Sequence, residues 1–188
     1  WINLHTIPLT LSVYIYLTRY LGPHNFGILT YSQTIIGIFV AISTLGLTNG
    51  GIFLRHLVDG KKDISVLLGT ITLLTLITSI LSIITIFICF FSMKYESAHT
   101  IIYILSFSII FQNLNLIFID YFQSIVQSKY TMFAGAISLI ISSLIKLYLI
   151  YINASLNTIA IAILFDSIFL AITLFFFYYK YKKTIGLW

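Results

Sequence analysis

Arg19-Tyr-Leu-Gly-Pro-His-Asn-Phe-Gly27 stands between two long apolar runs, and its reading decides the fold. Gly22 can take the left-handed backbone that ends a helix, and Pro23 cannot continue one because it lacks an amide proton. Phe26-Gly27 opens a second apolar run only a few residues later. Helices joined so tightly must be antiparallel neighbours. The stretch predicts a helical hairpin, and the rest of the sequence reads as more of the same.

Composition sets the solvent. Hydrophobic residues make up 60% of the chain and charged residues 8%, with a mean hydropathy of +1.06. Soluble domains carry about 25% charged residues, so this chain could not cover a water-facing surface. It is predicted to be an all-α integral membrane protein. The formal charge of +5 would suggest nucleic acid in a soluble protein. Here the basic residues sit in loops beside apolar runs, with no interleaved basic and aromatic groove, so no nucleic-acid partner is expected. The single cysteine, Cys89, lies within an apolar run and can form no internal disulfide.

A membrane helix needs roughly 20 mainly apolar residues. Six runs qualify, at about 1–19, 26–47, 64–91, 100–122, 131–152 and 158–179, and they predict a six-helix bundle in one membrane domain over 1–188. The connections are too short for a soluble domain. Residues 1–18 show no basic flank or cleavage site, so the start reads as a first helix lacking its extreme N-terminus rather than a signal peptide. Loops after the second, fourth and sixth runs hold Arg55, Lys61, Lys62, Lys129, Lys180, Lys182 and Lys183, whereas the other loops hold only Arg19 and Lys94. Lys/Arg excess marks the cytoplasmic side. Both ends are therefore predicted to be cytoplasmic, with the Arg19 hairpin outside.

Each run carries small or polar residues at helical spacing, the pattern of packed membrane helices. These stripes are His5, Pro8, Ser12, Tyr16 and Arg19; Thr30, Thr34, Gly37, Ala41 and Thr44; Ser65, Gly69, Thr72, Thr75, Ser79 and Ser82; Ser106, Asn113 and Asp120; Ala134, Ser138, Ser142 and Lys146; and Ala162, Asp166 and Thr173. A charge at the bilayer centre costs about 2.5–3.5 kcal/mol or more, so it faces an interior or a watery cavity. Lys146 lies two-thirds of the way through the fifth run, on the face of its small residues, and Asp166 lies near the middle of the sixth. Asp120 lies close to a membrane surface. Depth favours Lys146 with Asp166 over Lys146 with Asp120, either as a packing ion pair or as a coupling group; His5 reads as an interfacial histidine or a coupling residue.

Arg-x-Leu-Gly-Pro-x-x-Phe-Gly after a first membrane helix resembles the start of the polysaccharide-exporter flippases, the O-antigen and teichoic-acid branch of the multidrug/oligosaccharidyl-lipid/polysaccharide superfamily. Ser43-Thr-Leu-Gly-Leu47 and Leu54-Arg-His56 fall where that family has a helix end and a basic first loop. The motifs cover about the first third of the chain. The resemblance implies two six-helix lobes around a central cavity, of which this chain is the N-terminal lobe, a fragment without the second. It further implies alternating-access export of a polyprenyl-diphosphate-linked oligosaccharide across the bacterial cytoplasmic membrane, with H+ or Na+ coupling and with membrane lipids and other polysaccharide-assembly proteins as partners. Arg19 matches the family arginine and would meet the diphosphate; Lys146 is an analogy of chemistry only. No phosphate-cradling loop, metal spacing or nucleophile arrangement is present, and neither an enzyme, a metal nor a cofactor is expected. The alternative is a small membrane scaffold or assembly subunit without a transport cycle.

Overall fold

The computed structural model describes residues 2–44, 64–91 and 96–185. They form α1 (Ile2–Ser43), α2 (Ile64–Phe91), α3 (Glu96–Ser106), α4 (Ser108–Ser124), α5 (Ser128–Tyr151) and α6 (Leu156–Ile185), with no strand among the described residues. Four stretches are long and apolar enough to cross a membrane: Thr10–Ser43, Val66–Phe90, Ser128–Tyr151 and Leu156–Tyr181. Counting α3 and α4 as one bent span gives a fifth. The molecule is an all-α, multi-pass membrane protein.

The helix α1 is two arms. Gly22 sits at φ 69°, ψ 171°, outside helical geometry, in a region that only glycine visits readily. Pro23 removes a helical hydrogen bond at the same point. The Tyr14 and Phe26 rings meet edge to face at 5.4 Å. Twelve residues of straight helix would hold them about 18 Å apart, so the arms turn sharply toward each other at Gly22. Residues 45–63, with the Leu-Gly-Leu end and the basic first loop, lie outside the described residues.

The fourth apolar run is not one helix. It breaks at Phe107 between α3 and α4, with a 40° bend. No proline or glycine causes it. The Ser106 hydroxyl donates to the Tyr103 carbonyl (2.8 Å) and the Ser108 hydroxyl to the Leu105 carbonyl (2.6 Å). Such back-bonds compete with the helix ladder and bend it.

The apolar core gathers around the hinge end. Leu17, Leu21, Leu29 and Ile36 of α1 pack with Ile86 and Phe90 of α2, Ile101, Ile102 and Leu105 of α3, and Ile159 of α6. The Tyr20 hydroxyl donates to the Ala154 carbonyl (2.7 Å), tying the first arm to the α5–α6 turn. At the other end, rings replace aliphatic packing. Tyr121 meets Tyr178 at 5.3 Å, Phe122 meets Tyr130 at 5.4 Å, and Tyr130 meets Tyr181 at 5.5 Å, with the Lys129 ammonium 5.2 Å from the Tyr130 ring centroid. Between the ends, α4 touches α1, α2, α5 and α6.

The polar stripes divide. Thr75, Ser79 and Ser82 of α2, Ser106 of α3, Asn113 and Asp120 of α4, Ala134, Ser138 and Ser142 of α5, and Ala162 of α6 are buried. Among the described residues of the two α1 stripes expected to face inward, only Thr44 is buried, with Thr30 half-buried. On the first arm Pro8, Ser12, Tyr16 and Arg19 are exposed, and Val13, Leu17 and Leu21 are buried instead. On the second, Thr34, Gly37 and Ala41 are exposed while Leu29, Ser32, Ile36 and Ser43 are buried; Gly69 of α2 is exposed as well. The hydroxyls explain this. Ser12 donates to the Pro8 carbonyl (2.7 Å) and Thr34 to the Thr30 carbonyl (2.9 Å), so neither needs a partner helix. Larger aliphatic side chains then fill the core with more contact area.

Candidate functional site

Two opposite charges inside apolar helices define the site. A short turn joins α5 to α6 and sets them side by side, their packing the most extensive of any helix pair here. The Lys146 ammonium donates to an Asp166 carboxylate oxygen, closing an ion pair between the helices. The side chains retain 18% and 28% of their exposure. The Ser142 hydroxyl lies beside the same carboxylate. Buried charges are tolerated in such an interior when each is paired and hydrogen-bonded.

The pair borders a cavity of about 550 Å³ between the second arm of α1 and helices α4, α5 and α6. Gln112 and Asn115 line it from α4, Ser138 and Ser142 from α5, and Ser167 from α6; Val40, Leu116, Ile119, Leu139 and Leu170 supply apolar wall. The Asn115 amide Nδ2 donates to the Ser167 carbonyl (3.0 Å), pinning α4 to α6 next to Asp166. Its Oδ1 is buried without a hydrogen-bond partner. Gln112 donates to the Ser108 hydroxyl (2.8 Å) and also lines a smaller cavity of about 170 Å³ with Gln33 and Gly37. An apolar vault with a few convergent polar groups is the usual form of a ligand site.

The family model described as polysaccharide biosynthesis protein matches residues 2–187. The chain belongs to this family. No curated protein and no solved structure matches it. The polysaccharide biosynthesis family, together with the apolar helices, assigns this membrane protein to the synthesis or export of polysaccharide.

Within this polysaccharide biosynthesis protein the residues singled out from sequence fall in different places. Lys146 and Asp166 come together. Asp120 is not their partner; it is buried near the C-terminal end of α4, four residues from Ser124. Arg19 lies on the exposed face of the first arm and makes no ion pair among the described residues. His5 falls in α1, but its side chain lies outside the described residues. No group of three metal-ligating side chains occurs among the described residues.

Sequence reasoning missed Asn115, Gln112 and Ser167. The signal was present for the first: an amide in an apolar span is costly wherever it sits. Spacing by sevens selected Asn113 and passed over Asn115, which lies about 200° around the same helix.

Proposed function

We propose that the protein is a flippase that carries a polyprenyl-diphosphate-linked glycan from the cytoplasmic to the outer leaflet by alternating access. The observation that carries the reading is the family match across residues 2–187 of a multi-pass bundle. In this reading the chain forms the N-terminal lobe of a two-lobed transporter, its helices making six spans with both ends cytoplasmic.

The outward polar face of α1 gains a purpose here. Tyr16 and Arg19 on the first arm, with Gln33 on the second, are exposed, and unlike Ser12 and Thr34 they are not satisfied by their own helix carbonyls. Polar and charged groups at membrane depth face protein or a wet cavity rather than lipid. We assign this face to the central passage, against the second lobe. A diphosphate crossing hydrocarbon needs cations, and a guanidinium offers phosphate a planar fork that stays charged. Arg19 fills that role. Lys146 does so less well, because Asp166 already balances its charge. The ammonium also occupies the cation position on that carboxylate, which disfavours Na+ there; coupling through the pair would run by protonation of Asp166.

The test uses the protein expressed from its complete reading frame in the bacterial membrane. Arg19→Ala should abolish surface glycan at normal protein level, and Arg19→Lys should reduce it. Wild-type export by stably inserted Arg19→Ala removes Arg19 from the site. Normal surface glycan after deletion of the gene, with no accumulation of glycan-lipid on the cytoplasmic side, would favour a scaffold.

A further inference from the structure

The cavity between α4, α5 and α6 differs in charge from the Arg19 face. Its two ions cancel, and its other polar groups are amides and hydroxyls. A diphosphate drawn to Lys146 would face the Asp166 carboxylate, so an anion fits poorly. A free cation is opposed by the lysine. An uncharged group rich in hydroxyls suits the site. Hydroxyls donate and accept, and bonds to the ammonium or the carboxylate are charge-assisted, stronger than neutral ones.

We propose that this cavity binds a sugar ring of the carried glycan, leaving the diphosphate to Arg19; the assignment rests on the flippase reading above. About 550 Å³ is within the range of small-ligand sites. Leu116, Ile119 and Leu139 offer apolar wall to the C–H face of a pyranose. Asn115 gives a second indication: Asn113 and Asn115 each hold a buried Oδ1 with no donor, but only Asn115 borders the cavity. Its Oδ1 is a buried acceptor with no donor, in a residue 95% removed from solvent that lines the cavity. Leaving such a group unmet costs stability. A ligand hydroxyl that reaches it as α4 and α5 part would recover that cost, so binding and helix separation favour one another. Position agrees as well. Tyr20, next to Arg19, bonds the α5–α6 turn, and Lys146 lies about 8 Å along α5 from the end of that helix. Arg19 and the Lys146 end of the cavity therefore belong to one end of the bundle, as a diphosphate and its attached sugars must.

Cysteine protection tests this. Ser138→Cys, in a Cys89→Ser background of the complete protein in nanodiscs, places a thiol in the cavity wall. A polyprenyl diphosphate carrying N-acetylhexosamine is compared with the same lipid without sugar, and bound lipid is counted by native mass spectrometry. The glycosylated lipid should slow alkylation by a small neutral reagent about tenfold, the sugar-free lipid should bind without slowing it, and Asn115→Leu should cost about tenfold of the protection. Ser142→Cys serves as an independent reporter if Ser138→Cys fails to fold. Equal protection by both lipids overturns the sugar site, as does absence of protection while both lipids bind; either leaves the flippase reading intact. If neither lipid binds, the flippase reading fails and the sugar site with it.

Discussion

Two polar insertions flank α4, and they are built differently. On one side Asn113 donates to the hydroxyls of Ser43 and Ser79, both at 2.7 Å, while Thr78 donates to the Ser43 carbonyl at 2.6 Å. Ser43, Ser79 and Asn113 are all at most 2% exposed, and none borders either cavity. On the other side the Lys146–Asp166 pair keeps part of its exposure and opens on about 550 Å³. The first arrangement ties α1, α2 and α4 together with small side chains, as membrane helices usually do. The second spends charge and volume that packing does not require. Polarity inside the bundle is therefore no mark of a site by itself; polarity beside unfilled space is.

Substitutions can break this distinction. The largest effect is expected at the ion pair. Lys146→Met leaves Asp166 unmatched and should lower stability by about 3 kcal/mol, the lower end for a broken buried pair because this one is partly exposed. Adding Asp166→Leu should recover most of that loss, a coupling that thermal unfolding in nanodiscs would read. Export should stay low in the double variant although folding returns. Recovery of both would make the pair mere packing, like Asn113.

A control lies at the hinge. Beyond its chain neighbours and its own helix backbone, nothing lies within 4 Å of where a Cβ would stand on Gly22, so Gly22→Ala meets backbone strain rather than a packing clash. It should cost about 2 kcal/mol from the Gly-only region of φ/ψ space. Asn113→Leu comes next, at about 1 kcal/mol. The Ser43 and Ser79 hydroxyls would still donate to the Val40 and Thr75 carbonyls, so nothing is orphaned, and export per folded molecule should be unchanged. A selective loss of export there would erase the contrast between the two sides. Ser12→Ala, on the exposed face, should change stability by less than about 0.5 kcal/mol, and any fall in export would sharpen the assignment of that face to the passage.

What the sequence disclosed follows the range of the forces involved. The break at Gly22-Pro23 was legible because its cause is local to two residues. The Lys146–Asp166 pair was legible because an isolated charge in an apolar helix demands a partner, and depth left one good choice. The break at Phe107 was not, since two serine back-bonds produce it and serine does the same harmlessly elsewhere, as Ser12 shows. Nor was the buried face of α1. Hydroxyls content with their own carbonyls leave small and aliphatic faces equally able to pack, and only the neighbouring helices decide between them. The cavity needed four helices in place before Asn115 and Gln112 could be seen to share it.

Reconstituted transport tests the central claim most directly. Protein from the complete reading frame, placed in liposomes with a fluorescent polyprenyl-diphosphate-linked sugar in one leaflet, should speed its appearance in the other well above protein-free vesicles. Arg19→Ala should remove that acceleration. Transfer no faster than in empty vesicles, with the protein folded, correctly inserted and given a proton gradient, would contradict the account.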